Sequence, residues 1–130
     1  MRFLIIDDDP VSRKALNALL SQYGRTIEAS TGRYAIELVR KALIDHQPFA
    51  LITLDIMMPD LDGHATLSAI RTLEATTRET PAKIFMTTSL GDGRNVSQAF
   101  REHCTGYLTK PIDLDKLVQL LHEHGLVLPP

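Results

Sequence analysis

Apolar and polar residues fall in blocks along this chain. Five short apolar runs stand out, at 3–6 (FLII), 26–29 (TIEA), 50–54 (ALITL), 83–87 (KIFMT) and 105–108 (TGYL). The first is aliphatic without polar alternation, the pattern of a strand covered on both faces. Between the runs, apolar residues recur every three or four positions, as on one face of a helix. One such set is Val11, Ala15, Leu16, Leu19 and Tyr23; a second is Ala35, Ile36, Val39, Ala42 and Leu43. Leu67, Ile70 and Leu73 form a third, and a weaker, more polar set over 94–103 contains Val96, Ala99 and Phe100. The last set is Leu114, Leu117, Val118 and Leu121. Helix signals agree with these sets. Asp9 is placed to cap the first helix with Pro10 in its first turn, and Gly24 to stop it. Asp62-Gly63 precedes the third helix, Asp113 caps the last and Gly125 ends it.

Five strand–helix units in strict alternation predict an α/β domain, a parallel sheet with helices on both faces. Such sheets bind ligands beyond the carboxyl ends of their strands, so the polar residues that close each apolar run become the candidates. They are Asp7, Asp8 and Asp9 after the first run, Asp55 after the third, Thr87, Thr88 and Ser89 at the fourth, and Lys110 after the fifth. Neighbouring strands lie roughly 4.8 Å apart. Adjacent first and third strands would therefore bring Asp7, Asp8 and Asp55 to one spot.

Three carboxylates at a low-dielectric rim repel one another and need a neutralising partner. A divalent cation fits that need, and Mg²⁺ suits a site of few carboxylates that also takes water and phosphate oxygens. An ammonium and a hydroxyl add donors for a phosphoryl group. The set reads as a phosphoryl-transfer centre with a carboxylate nucleophile. Asp55 is the expected nucleophile, because it ends an otherwise apolar strand, whereas Asp7 and Asp8 form a pair suited to holding metal.

Composition narrows the field. Net charge is −2 with no basic block, which argues against nucleic-acid binding. No stretch approaches the roughly 18 apolar residues of a membrane span. A single cysteine, Cys104, rules out an internal disulfide and fits a reducing cytoplasm. The chain closes with GLVLPP soon after the last helical pattern, so a single domain over 1–130 with no output domain is expected.

DDDP after a hydrophobic strand, LDIMMPDLDG, MTTS and GYLTKP, in that order, resemble the receiver domain of two-component response regulators (CheY-like). The resemblance spans essentially the whole chain. It implies a doubly wound, flavodoxin-like (βα)5 fold with strand order 2-1-3-4-5, an arrangement for which a receiver is itself a standard illustration. It implies that Asp55 is the phosphoacceptor, supplied by a sensor histidine kinase or a histidine phosphotransfer protein, and that the domain is not an enzyme acting on other molecules. Asp8 would bind Mg²⁺ (or Mn²⁺) directly, Asp7 directly or through water, and Met57 through its backbone carbonyl. Lys110 would pair with phosphoryl oxygens, and the Lys110–Pro111 peptide would be cis. Thr88, 22 positions before Lys110, would be the switch hydroxyl, with Thr87 as its competitor, and Tyr107 the switch aromatic. Output would pass through the fourth helix, last strand and last helix to a downstream protein, with the polar SLGDGRN segment reordering. Met57 and Leu90 would flank the path of hydrolytic water, and both are apolar, which implies slow loss of phosphate.

Plainer readings apply to several residues. Asp60 and Asp62 lack the spacing and closing glutamate of a calcium loop and read as turn and cap. His122 and His124, two apart on a helix, point in different directions. His103-Cys104 has no partners at ligand spacing, His46 reads as exposed, and His64 could sit near the mouth of the site. Two competing functions remain: a pseudo-receiver that does not use phosphate, and a small aspartyl-nucleophile phosphatase. The second wants an acid two residues after the nucleophile, where this chain has Met57.

Overall fold

In the computed structural model, which describes residues 1–89 and 103–127, five parallel strands build one sheet. They are β1 (Arg2–Ile6), β2 (Arg25–Ala29), β3 (Leu51–Asp55), β4 (Lys83–Ser89) and β5 (Gly106–Lys110). Their order is β2-β1-β3-β4-β5, the one the resemblance implies. The described helices are α1 (Pro10–Leu20), α2 (Gly32–Ile44), α3 (Gly63–Ala75) and α4 (Leu114–Glu123). The helix expected over 94–103 lies, apart from His103, outside the described residues, as do Leu90 and most of SLGDGRN.

Alternating strand residues serve two cores, one on each face of the sheet. Leu4, Ile6, Ile52, Leu54, Ile84 and Met86 face α2 and α3, which contribute Ala35, Val39, Leu67 and Ile70. Phe3, Ile5, Leu51, Phe85 and Leu108 face α1 and α4, which contribute Leu16, Leu20, Leu117 and Leu121. Both faces are covered, and that is why the central runs carry no polar alternation.

Three sequence expectations are corrected. The strands reach farther toward their carboxyl ends than the apolar runs do: Asp55 belongs to β3, Ser89 to β4 and Lys110 to β5. The ladder continues through polar residues because backbone pairing ignores side-chain polarity, and Asp55 pairs with Thr87 and Ser89 with Lys110. In α1, Val11 and Ala15 are exposed while Leu16 and Leu20 are buried. The helix ends at Leu20 with Ser21 as C-cap, three residues before Gly24. In α4, Leu114 is exposed, and Leu117 and Leu121 make the sheet contact.

The caps follow the sequence signals. Asp9 accepts from the Val11 amide at 3.0 Å, Asp62 from Ala65 at 2.9 Å, and Asp113 from Asp115 and Lys116 at 3.0 and 3.2 Å. Gly63 opens α3 where the helix touches the end of β3. A Cβ there would lie 2.5 Å from the Asp55 carbonyl oxygen and 2.7 Å from Ile56 Cα. Only glycine lets this backbone approach the strand so closely.

Candidate functional site

β1 and β3 are neighbours, with Ile6 opposite Leu54, so Asp7 and Asp55 emerge side by side at the same edge. Asp7, Asp8 and Asp55 offer carboxylate oxygens that all lie within 4.8 Å of one another. Among the described residues this is the only such acidic cluster. Asp7 and Asp55 are buried, and Asp8 is exposed. The arrangement places two acids at the floor of a shallow rim and one at its mouth.

Each acid is held by specific partners. The Asp7 amide donates to the Ala29 carbonyl at 3.1 Å, extending the β1–β2 ladder by one residue. Asp7 Oδ1 accepts from the Asp9 amide at 2.9 Å, and Asp55 Oδ1 from the Met57 amide at 3.2 Å. From the end of β5, Lys110 Nζ reaches Asp7 Oδ2 at 2.8 Å and Asp55 Oδ2 at 3.4 Å. The Lys110–Pro111 peptide is cis.

The charges shape one another. Burial, then the negative charge of Asp7, push the Asp55 carboxyl up to about 7, against the opposing pull of Lys110. For Lys110, burial disfavours the ammonium, but the hydrogen bond to Asp7 and the charges of Asp55 and Asp7 outweigh it and raise its pKa. One lysine facing three acids leaves the cluster negative. A divalent cation that takes oxygen ligands fits this donor set, and Asp7, Asp8 and Asp55 are the residues that would hold it.

The two threonines differ. Thr87 pairs with Asp55 in register and so stands on the same face of the sheet. Its hydroxyl is buried with no hydrogen-bond partner among the described residues, as is that of Thr53. Thr88 is also buried, pairs with Thr109, and donates to the Ser89 carbonyl at 3.3 Å. Tyr107 is half-buried on β5 against the α2–α3 core. Met57 is exposed beside Asp55.

The other candidates lie elsewhere. Asp60 pairs with Arg33 at 2.7 Å, His46 with Glu79 at 2.8 Å, and the His124 ring rests 5.4 Å from that of Phe85. Cys104 is half-buried against the α2–α3 core. A cavity of about 550 Å³, lined by Arg71, Glu74, Lys83 and His103, lies at the opposite end of β4 from Thr88.

No motif marks Arg13, Glu28 or Thr53. Their available signals are weak: a basic residue in the first turn of α1, where the helix dipole disfavours it, and single polar residues inside two apolar runs.

Comparison with known proteins decides the family. The model of the Response regulator receiver domain family matches residues 3–122. This chain belongs to that family. Receiver domains are phosphoryl-accepting signalling domains of two-component systems. The chemotaxis protein CheY of Bacillus subtilis is 28% identical over 124 residues, covering 94% of this chain and 95% of that one. A sensor histidine kinase, GacS, of Pseudomonas protegens is 30% identical over 120 residues. This receiver chain covers 92% of its own length there but only 13% of the kinase. Among solved structures, a CheY-like receiver domain protein from Methanospirillum hungatei superposes with a TM-score of 0.76 at 31% identity, over 96% of this chain and 94% of that one.

Proposed function

We propose that this receiver takes a phosphoryl group onto Asp55 from a phosphohistidine of a sensor kinase or phosphotransfer protein, in a reaction that requires Mg²⁺. The observation that carries the reading is the meeting of Asp7 and Asp8, just past β1, with Asp55 at the end of β3, their carboxylate oxygens all within 4.8 Å, under the ammonium of Lys110. An Asp55 carboxylate oxygen forms the new bond to phosphorus while the phosphorus–nitrogen bond breaks. The electron pair leaves with the imidazole. Asp8, Asp55, the Met57 carbonyl and, directly or through water, Asp7 would hold Mg²⁺, which would neutralise the acids and the phosphoryl oxygens.

Lys110 withdraws from its two acids to pair with the incoming phosphoryl oxygens, a charge-assisted contact absent before transfer. Thr88 supplies the switch hydroxyl, and Tyr107 follows it. That differential contact lets phosphate shift the equilibrium of an output surface that includes β5 and α4 toward a form that a downstream protein recognises. The receiver acts as one domain, in the cytoplasm where such kinases present their phosphohistidine, without contacting nucleic acid or membrane. No helix among the described residues is long and apolar enough to cross a membrane.

Incubation with acetyl phosphate and Mg²⁺, followed by intact mass, tests the reading. Wild type gains one phosphoryl group, and neither Asp55→Asn nor a metal-free sample does. An unmodified wild type, beside a control receiver that is modified, replaces this reading with that of a pseudo-receiver. Steady turnover of simple phosphate esters would instead indicate a phosphatase, although Met57 stands where that mechanism needs an acid.

A further inference from the structure

A guanidinium that the proposed chemistry does not use sits against the acid loop. Arg13, in the first turn of α1, donates to the backbone carbonyl of Asp7 at 2.7 Å. Its Nε lies 3.3 Å from Glu28 Oε1 on β2. Glu28 Oε2 in turn accepts from Asn17 Nδ2 at 2.7 Å, and Asn17 Oδ1 accepts from the Thr26 hydroxyl at 2.7 Å. The Arg13 side chain is only 19% exposed. A basic residue here works against the helix dipole, so its placement calls for another role.

The Asp7 carbonyl belongs to the planar peptide that joins Asp7 to Asp8. Pinning that oxygen fixes the plane, and the plane sets the direction from which the Asp8 side chain departs. Asp7 does not depend on this, since burial, Lys110 and the Asp9 amide already hold its carboxylate. Asp8 is exposed, and its aim rests more heavily on the backbone beneath it.

We propose that Arg13 is a positioning residue. Braced by Glu28, Asn17 and Thr26, it fixes the Asp7–Asp8 peptide so that Asp8 presents its carboxylate to the cation shared with Asp55. This inference rests on the reading that the acid cluster holds a divalent cation.

The alternatives differ in sign. A positive charge beside three acids repels a cation, so if Arg13 acted through charge alone, removing it would tighten Mg²⁺ binding. A purely structural role would lower the melting temperature and leave affinity unchanged. Positioning requires weaker binding, and outer-shell partners of metal ligands characteristically contribute about 10-fold or more in affinity.

Calorimetric titration of metal-free protein with Mg²⁺ separates these outcomes. Arg13→Gln is expected to weaken binding about 10-fold, Arg13→Lys to recover most of it, and Glu28→Gln to weaken it to a smaller extent. Equal or tighter binding by Arg13→Gln overturns the inference while leaving the acid-cluster reading intact. A wild type that binds no Mg²⁺ overturns both. Should Arg13→Gln fail to fold, Glu28→Gln decides: unchanged affinity overturns the inference, and weaker affinity supports it.

Discussion

Asp55 carries the conflict of the site in one side chain, since it is buried beside a second acid yet would have to ionise to attack as the proposed phosphoacceptor. Its pKa is raised from the usual 3.8 to about 7, by burial first and Asp7 second. Between those values the folded state holds a proton that the unfolded state has lost. Stability of the metal-free protein therefore falls as pH rises from about 4 to about 7, then levels off. The raised pKa of Lys110 keeps it charged across that window. Asp55→Asn removes the titrating group, so thermal melts should converge near pH 4 and show the variant melting higher above pH 7. Melting curves that stay parallel across the range would contradict the assignment. The two threonines allow a second test. Thr88→Ala is expected to abolish the phosphate-dependent change at Tyr107 while leaving acetyl phosphate able to modify Asp55, whereas Thr87→Val should preserve that change. Tyrosine fluorescence with and without phosphodonor reads both, and the opposite result would hand the switch to Thr87. Met57, exposed and apolar beside Asp55, cannot orient hydrolytic water. Replacing Met57 with Asn and Leu90 with Glu should shorten the half-life of the phosphorylated protein.

At the scale of elements, close backbone approaches and buried faces decide what tolerates change. Gly63→Ala would press a methyl group into the Asp55 carbonyl and the Ile56 backbone, neither of which can rotate away. Overpacking of that kind costs about 1–3 kcal/mol, and chemical denaturation should report it together with slower phosphorylation, because the displaced backbone carries Asp55, the proposed acceptor. In α4 the distinction is between faces. Leu117 is wholly buried and Leu114 is exposed, so Leu117→Ala should cost about 2–5 kcal/mol and Leu114→Ala far less. Equal costs would mean that α4 presents a different face to the sheet. Helical periodicity identifies which residues share a stripe, but a stripe is wider than its line of contact. Val11, Ala15 and Leu114 lie on its flanks, and only packing against β1, β3 and β5 selects Leu16, Leu20, Leu117 and Leu121.

For the whole molecule, the sheet order gathers acids that are far apart in sequence, and a bound cation should stabilise the gathered state. A ligand at a hundredfold excess over its Kd contributes about 2.7 kcal/mol. Mg²⁺ is expected to raise the melting temperature of wild type and much less that of Asp8→Ala; equal shifts would remove Asp8 from the metal site. Much of this architecture is legible beforehand because local rules agree with one another. Apolar runs buried on both faces, Asp-Pro and Asp-Gly helix starts, and polar residues at the carboxyl ends of runs each follow from short-range sterics and burial. The alternation of strands and helices, the caps at Asp9, Asp62 and Asp113, and the candidates Asp7, Asp8, Asp55 and Lys110 could thus be read from residue order alone. Other features needed the folded chain. Backbone pairing carried β3, β4 and β5 past their apolar runs. Side-chain packing chose the inward face of each helix. Long-range contact joined Arg13 on α1 to Glu28 on β2 and to the Asp7 carbonyl. The strength of the carboxylate conflict also arose only there, because the proton affinity of Asp55 depends on how deeply it is buried and on which charges stand beside it, and neither is a property of the linear chain.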